Sequence, residues 1–248
     1  MRTDIRLRIK RQAAPDGRPY WDDFRLDYRP KMNITSCLME IQRNPVNAAG
    51  EAVAPVAWDC NCLEEVCGAC AMIICGKARP ACSALIDQLP LVVTLAPLSK
   101  FPVVRDLVVN RDAMFAHLKK VHAWITVDGT HDIGPGPRLT EKVRRGAYEL
   151  NRCMTCGCCL EACPQVTGSN EFMGAAAISQ VAWQNAHPTG AQEADERLQA
   201  LMGPGGIAEC GKAQNCDRAC PKDLPLVSSI ATVNRQMLRY TVIDWLKR

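Results

Sequence analysis

The sequence lacks the features that mark several large classes of protein. Aromatic residues make up 5% of the 248 residues and do not interleave with a basic stripe, which argues against nucleic-acid binding. Neither a P-loop nor a glycine-rich dinucleotide fingerprint is present, so we expect no nucleotide to be bound by this chain. No apolar run approaches the roughly 18 residues that a membrane-spanning helix needs.

Cysteine, by contrast, is abundant. The chain has 15 cysteines, an odd number that cannot pair completely within one chain. The stretch MRTDIRLRIKRQ at its start contains no apolar region of the kind that a secretory signal requires. Because disulfide frameworks are typical of short secreted chains, we expect a reducing compartment in which thiolates bind metal.

The densest cysteine run, CMTCGCCLEACP at residues 153–164, has the spacing of a bacterial ferredoxin. In that pattern, C-x2-C-x2-C-x3-C followed by proline, three cysteines hold one cluster and the fourth binds the other. Zinc sites usually show two ligand pairs separated by a longer insert, so zinc is disfavoured. The residues that form the pattern are Cys153, Cys156, Cys159, Cys163 and Pro164. Cys158 falls outside it and is predicted to be a small buried residue beside the cluster.

A second run, CGKAQNCDRACP at residues 210–221, repeats the first after a shift of 57 residues, with Ala213 where a cysteine would be expected. Exchange of the fourth ligand between the runs gives one complete and one incomplete set. The complete set predicts a [4Fe–4S] cluster held by Cys153, Cys156, Cys159 and Cys220. The incomplete set predicts a [3Fe–4S] cluster held by Cys163, Cys210 and Cys216. The alternative is a [4Fe–4S] cluster with water or another non-cysteine ligand beside Ala213.

A third group of cysteines lies upstream, in WDCNCLEEVCGACAMIICGKARPAC. The spacing C-x4-C-x2-C with a distant fourth cysteine is that of a plant-type [2Fe–2S] cluster. Gly68 lets the backbone turn close to the sulfurs without a Cβ clash. The predicted ligands are Cys62, Cys67, Cys70 and Cys82. Cys60 and Cys75 are the competitors, and a structural role is predicted for both, as it is for Cys37.

The order of the three cluster patterns, with Ala213 in the last, resembles the iron–sulfur subunit of succinate dehydrogenase and fumarate reductase over essentially the whole chain. The stretches NCLEEVCGACAM, CMTCGCCLEACP, NAHPTG and NCDRACPK are most similar to the branch that works with menaquinone. The resemblance implies a subunit of succinate dehydrogenase (quinone) with no dicarboxylate site in this chain. It implies electron transfer from the FAD of a flavoprotein subunit through the [2Fe–2S], [4Fe–4S] and [3Fe–4S] clusters to quinone, or fumarate reduction along the reverse path.

The resemblance also implies partners and a location. One or more membrane anchor subunits, with or without haem b, would hold the chain at the cytoplasmic face of the bacterial inner membrane. Pro164 and His187 are assigned to a quinone site. Ubiquinone-reducing relatives commonly carry tryptophans after the first CP and a histidine after the first cysteine of the second run. This chain has Val166, Thr167 and Gly211 there, which favours menaquinone or a quinone site placed mainly in the anchor.

Two other functions stay open. One is a soluble polyferredoxin with no fixed partner, and the other is the iron–sulfur subunit of a different flavoenzyme or hydrogenase-like complex. Purification separates them, because a dehydrogenase subunit should come with flavin and with succinate–dye reductase activity.

Hydrophobic periodicity predicts an α+β fold in two domains. IRLRIKR and FRLDY alternate with period two and predict strands, as do AMIICG and LVVTLAPL. MNITSCLMEIQRN predicts a helix with Asn33 or Thr35 as its N-cap. A small sheet packed on one helix predicts a β-grasp [2Fe–2S] ferredoxin domain over residues 1–105.

Residues 106–248 are predicted to form an all-α ferredoxin-like domain with the other two clusters. MFAHLKKVHAWI and EKVRRGAYEL predict helices, separated by a glycine- and proline-rich surface loop at residues 128–140. The C-terminal segment predicts a long helix. The apolar residues that fall near one face of it are Val227, Ile230, Met237, Val242 and Trp245.

Overall fold

The structure, a computed structural model, describes residues 3–126 and 138–247. They form two compact units, of which the first contains the chain up to Arg111 together with Met154–Glu161. The domain boundary between residues 105 and 106 stays a prediction. Most of the predicted loop at residues 128–140 lies outside the described residues. Among the helices that the structure describes, none combines the length and the apolar character needed to cross a membrane.

The first unit is a small mixed sheet with one helix packed on it, which confirms the predicted α+β class. Its elements are β1 (Asp4–Arg11), β2 (Tyr20–Asp27), α1 (Ile34–Arg43), β3 (Ala71–Ile74), β4 (Lys77–Pro80), β5 (Val92–Ala96), β6 (Val103–Arg105) and β7 (Val108–Val109). The main sheet has the order β2-β1-β5-β3-β4, and β6 pairs with β7 in a separate hairpin. β1 runs antiparallel to β2 and parallel to β5.

Alternation along β1 decides which face of the sheet is buried. Ile5, Leu7 and Ile9 are buried, whereas Arg6 and Arg8 between them are exposed. The helix α1 covers this face with apolar residues that join the same core, namely Ile34, Leu38 and Ile41. Burial of each large aliphatic side chain contributes roughly 1.5–3 kcal/mol. The α1 helix begins after Asn33, whose side chain accepts the Ser36 N–H at 2.8 Å, so Asn33 is the N-cap.

A buried ion pair anchors the segment that precedes the first cysteine loop. Asp106 lies in the turn between β6 and β7 and accepts a hydrogen bond from Arg11 Nε at 2.9 Å. The other carboxylate oxygen of Asp106 accepts the Ala57 N–H at 2.9 Å, and Arg11 also donates to the Ala54 carbonyl at 2.8 Å. Buried charges are tolerated when such hydrogen bonds compensate their lost hydration. The pair therefore ties residues 54–57, just upstream of Cys62, to the end of β1.

The α-helices after β7 make up most of the remaining described structure. They are α2 (Asp112–Lys120), α3 (Glu141–Asn151), α4 (Cys158–Ala162), α5 (Gly174–Ala186), α6 (Ala194–Met202), α7 (Asn215–Ala219) and α8 (Leu226–Lys247). All of α4 but its last residue belongs to the first unit. In the second unit, α5 is buried along most of its length and packs against α3, α6 and α8.

The helix predicted from MFAHLKKVHAWI is shorter than the sequence pattern indicates. It ends at Lys120, because His122 adopts a left-handed conformation with φ 49°. The Ala123 N–H donates to the Leu118 carbonyl and the His122 N–H to the Lys119 carbonyl, which is the pairing of a Schellman motif. Glycine usually occupies the left-handed position of this motif, so a histidine there gave no sign of the helix end.

The long C-terminal helix is confirmed as α8, and its own unit covers only the first part of the predicted apolar face. Val227, Ile230 and Met237 are half-buried, whereas Val242 is 55% and Trp245 is 73% exposed. The first turns pack on the second unit through Leu226 and Val233 as well. The amphipathic pattern therefore continues beyond the part of the helix that its own unit covers.

Candidate iron–sulfur sites

The loop that contains Cys62 and Cys67 points backbone N–H groups at cysteine sulfurs. Cys62 Sγ accepts hydrogen bonds from three backbone N–H groups of this loop, those of Glu64 (3.4 Å), Val66 (3.3 Å) and Cys67 (3.3 Å). These three donors lower the pKa of the Cys62 thiol to about 7. Such an arrangement favours a thiolate, which is the form of cysteine that binds metal.

The other predicted ligands of the [2Fe–2S] site lie around the same loop. The Glu65 N–H donates to Cys82 Sγ at 3.3 Å, and the Ala69 N–H donates to Cys67 Sγ at 3.5 Å. Cys70 and Cys82 are buried and hydrogen-bonded to each other, and burial followed by this bond raises the pKa of the Cys82 thiol to about 11. The structure therefore brings all four predicted ligands together.

The loop needs unusual backbone conformations to achieve this. Leu63 and Glu65 have φ values of 61° and 55°, and Gly68 has φ 71°. Non-glycine residues in this left-handed region carry strain, which tends to collect at functional sites. With left-handed residues at positions 63 and 65, the consecutive N–H groups of residues 64–67 all point at cysteine sulfurs.

Of the competing cysteines of this region, Cys60 lies close to the predicted ligands, whereas Cys75 and Cys37 belong to the sheet turn and to α1. The residue Cys60 is exposed as a whole, but partial burial of its thiol, followed by the charges of the neighbouring cysteines, raises the pKa of that thiol. Cys75 and Gly76 form the left-handed turn between β3 and β4, and Cys75 packs partly against the core. Cys37 is fully buried in α1.

In the first ferredoxin-like run, Cys156 and Cys159 belong to the first compact unit. Both are buried, and Cys158 between them has no exposed surface. Burial and a hydrogen bond to Cys156 raise the pKa of the Cys158 thiol, with the hydrogen bond as the larger cause. A thiol that donates to a neighbouring sulfur is suited to a supporting role. Cys153 and Cys220, the other two predicted ligands of this set, belong to the second unit.

The two runs share a backbone conformation as well as a spacing. Thr155 and Gly157 flank Cys156 with φ values of 50° and 87°, and Lys212 and Gln214 flank the equivalent position, Ala213, with 54° and 60°. The short helices that follow, α4 and α7, begin and end at positions related by the same shift of 57 residues. Ala213 therefore occupies a turn of the type that presents Cys156.

A cavity of about 180 Å³ lies at the second run, inside the second unit. It is lined by all three cysteines of the incomplete set, Cys163, Cys210 and Cys216, and by Ala213. Gln165 and Asn234 are among the few polar residues of the lining, and Val227, Ile230 and Ala231 of α8 contribute an apolar wall. A water molecule occupies roughly 30 Å³ of liquid, so the space suits a group several times larger. Burial raises the pKa of the Cys216 thiol, because it disfavours the charged form.

The two residues assigned to quinone lie in different surroundings. Pro164 belongs to the described lining of this cavity, and His187 does not. His187 ends α5, where its Nδ1 accepts the N–H groups of Thr189 at 3.2 Å and Gly190 at 3.4 Å. One ring nitrogen is therefore used to form a turn.

The donor set fits iron–sulfur clusters by chemistry, since it consists of cysteine thiols and backbone N–H donors. Within residues 3–126 and 138–247, no three histidine, cysteine, aspartate or glutamate side chains converge as a site for a single metal ion. The N–H donors to Cys62 and Cys82 could not be found from sequence, because any residue other than proline supplies such a donor.

Comparison with known proteins agrees with this arrangement. A model of the 2Fe-2S iron-sulfur cluster binding domain matches residues 6–116, and a model of the 4Fe-4S dicluster domain matches residues 149–224. The chain is 59% identical over 231 residues to the succinate dehydrogenase iron-sulfur subunit of Bacillus subtilis, covering 93% of this chain and 91% of that protein. It is 30% identical over 226 residues to the fumarate reductase iron-sulfur subunit of Wolinella succinogenes, covering 90% and 91%.

A solved structure supports the fold independently. A chain of the Mycobacterium smegmatis Sdh1 complex in the apo form superimposes with a TM-score of 0.80, covering 96% of both chains at 20% sequence identity. The two cluster-binding domains and the two curated relatives give the same assignment. The chain belongs to the family of iron–sulfur subunits of succinate dehydrogenase and fumarate reductase.

Proposed function

We propose that the chain carries electrons between a flavoprotein subunit and membrane quinone through three clusters. Iron–sulfur clusters, when bound, accept and release single electrons at potentials that the protein sets through charge, hydrogen bonds and burial. The proposed [2Fe–2S] ligands are Cys62, Cys67, Cys70 and Cys82, and the proposed [4Fe–4S] ligands are Cys153, Cys156, Cys159 and Cys220. The observation that carries the proposal is the set of N–H donors directed at Cys62 and Cys82.

The residues around the first site have a definite task in this function. Each N–H donor stabilises negative charge on sulfur, and hydrogen bonds to a charged acceptor are stronger than those to a neutral one. The buried pair of Arg11 and Asp106 holds residues 54–57 and so restrains the entry to the loop. Ligands held in this way need little rearrangement when the charge of the site changes.

The third proposed centre is a [3Fe–4S] cluster held by Cys163, Cys210 and Cys216. The matching turns at Cys156 and Ala213 support it, because they put a methyl group where the first run has a thiol. The [4Fe–4S] alternative requires a ligand other than cysteine.

The proposed partners follow from family membership. A flavoprotein subunit with FAD would supply electrons taken from succinate, and one or more anchor subunits, with or without haem b, would hold the chain at the cytoplasmic face of the membrane. We propose menaquinone as the acceptor and assign Pro164, which lies in the cavity lining, to its site. The role of His187 at quinone stays a prediction. Fumarate reduction, the reverse direction, has support in the fumarate reductase relative.

The substitution Ala213→Cys tests the assignment of the three-iron centre. It should build a four-iron cluster, lower the potential of the centre because a thiolate adds negative charge, and slow succinate–quinone turnover. Succinate reduction of an artificial acceptor upstream should suffer less. Oxidised wild-type complex should show the EPR signal of a three-iron centre, and the variant should lose it.

Ala219→Cys is the matched control, because it adds a thiol to the same run at a position without a ligand counterpart. It should keep the three-iron signal. If Ala213→Cys, confirmed by mass, also keeps the signal, the missing thiolate does not determine the cluster type.

A further inference from the structure

One arginine holds the loop that lies between two of the proposed [2Fe–2S] ligands. Arg111 Nη1 donates to the Gly68 carbonyl at 2.9 Å, and Nη2 donates to the Ala69 carbonyl at 3.0 Å. The Ala71 carbonyl lies 3.5 Å from the same Nη2. These carbonyls flank Cys70 on both sides. A planar guanidinium can bind several carbonyls in a fixed geometry, which a lysine ammonium on a flexible stem reproduces poorly.

The same loop touches the run that contains Cys156. A Cβ atom added to Gly68 would lie 2.8 Å from the Cα of Cys156 and 2.7 Å from the Met154 carbonyl oxygen. Such separations are shorter than van der Waals contact, so glycine alone allows this approach. All of these residues, with Arg111, belong to one compact unit. Arg111 therefore binds the loop at the place where two cluster-binding segments meet.

The positive charge of Arg111 also acts on the second of these segments. Its guanidinium is bound to the carbonyl of Gly68, which is the residue that lies against Cys156. Arg111 is partly buried, so solvent screens its charge less than that of a surface residue.

We propose that Arg111 is a positioning residue that fixes the Cys67–Cys70 loop against Cys156 and whose charge raises the reduction potentials of the two neighbouring centres. The proposal rests on the proposed function, from which it takes the ligand sets. A nearby positive charge stabilises the reduced, more negative form of a cluster, and charge is one of the factors that set its potential. Removal of this charge should make both centres harder to reduce.

The test compares Arg111→Gln and Arg111→Lys in the purified complex by redox titration followed by EPR, with iron content measured on the same samples. Arg111→Gln should lower the reduced-to-oxidised ratio of the [2Fe–2S] centre about tenfold at a fixed ambient potential, which is about 59 mV for one electron. The [4Fe–4S] centre should shift in the same direction. Arg111→Lys keeps the charge and should restore most of the ratio.

Arg25→Gln is the matched control. It removes one positive charge from the same compact unit. Arg25 lies near the end of β2, where it forms an exposed ion pair with Asp4 at the start of β1. Exposed pairs contribute little to stability. This variant should leave both ratios within twofold of wild type.

The possible outcomes distinguish an error in the ligand assignment from an error in the role of Arg111. Absence of the [2Fe–2S] signal from the wild-type complex would overturn the ligand assignment itself. With that signal present, an unchanged ratio in Arg111→Gln overturns the role of Arg111 alone. If Arg111→Gln loses its clusters, Arg111→Lys tests the charge: clusters that remain with a ratio near wild type support the proposed effect on the potentials, and equal loss or a lowered ratio overturns it.

Discussion

Replacement of Gly68 by alanine probes the contact that confines the [2Fe–2S] loop. The substitution has two costs. Gly68 has φ 71°, and an L-residue in the left-handed region costs about 1–2 kcal/mol. The added Cβ would also approach the Met154 carbonyl oxygen to 2.7 Å and the Cα of Cys156 to 2.8 Å, and these are backbone atoms that cannot rotate away. Overpacking of this kind adds about 1–3 kcal/mol.

Gly50→Ala isolates the second cost. Gly50 lies in the same unit with φ 84°, and an added Cβ would meet nothing within 4 Å. Gly50→Ala should therefore have only the backbone cost, and the two variants should differ by about 1–3 kcal/mol. For a domain of 60–100 residues, 1 kcal/mol corresponds to roughly 4–8 °C in the unfolding midpoint.

The assay is loss of the [2Fe–2S] EPR signal after a fixed heating time at each temperature, in purified complex. Gly68→Ala should lose the signal at least about 4 °C below Gly50→Ala, and should also contain less iron as isolated. Equal midpoints and equal iron contents for the two variants would refute the reasoning, because the close approach would then have no energetic consequence.

Three further predictions concern the other cysteines, the second unit and the C-terminus. Cys158→Ala should keep all three clusters while Cys159→Ala loses or degrades the [4Fe–4S] centre in EPR; loss of a cluster in the first variant would refute the register. Arg197 has no exposed surface and donates to the carbonyls of His122, Trp124 and Gly190. Arg197→Met leaves these acceptors unpaired and should lower the free energy of unfolding, measured in urea, by at least about 3 kcal/mol. A decrease of less than about 1 kcal/mol would contradict this. Truncation after Arg235 removes the exposed apolar end of α8 and should weaken membrane attachment; full attachment with intact clusters would exclude that role.

Side-chain chemistry made much of the molecule predictable. The period-two pattern of β1 and the Asn33 cap of α1 were sufficient for those elements, because each depends on residues close in sequence. The repeated spacing of the two cysteine runs predicted equivalent positions, and the positive φ values on both sides of Cys156 and of Ala213 agree with it.

Features that depend on the backbone or on distant residues were not predictable. The N–H groups that reach Cys62 belong to residues whose side chains have no part in the contact. The end of α2 at a left-handed histidine contradicts the usual preference for glycine. The hydrogen bond from the Arg111 guanidinium to the Gly68 carbonyl joins residues 43 positions apart, and an arginine in the sequence does not indicate its partner.

The exposed end of α8 shows a different limit. Its apolar residues follow helical periodicity, so the sequence predicts an apolar face, and at the end of that face Trp245 is 73% exposed. Periodicity reports that a face is apolar and does not report what covers it.

The central claim is that this chain carries three clusters as part of a succinate-oxidising complex. Its most direct test is the cofactor content of the intact complex, purified from membranes through an affinity tag on this chain. We expect co-purification of a flavin-containing subunit, succinate–dye reductase activity, about nine iron atoms per chain and an EPR signal from a three-iron centre in the oxidised state. Recovery of the chain alone, without flavin and without succinate–dye reductase activity, would contradict it.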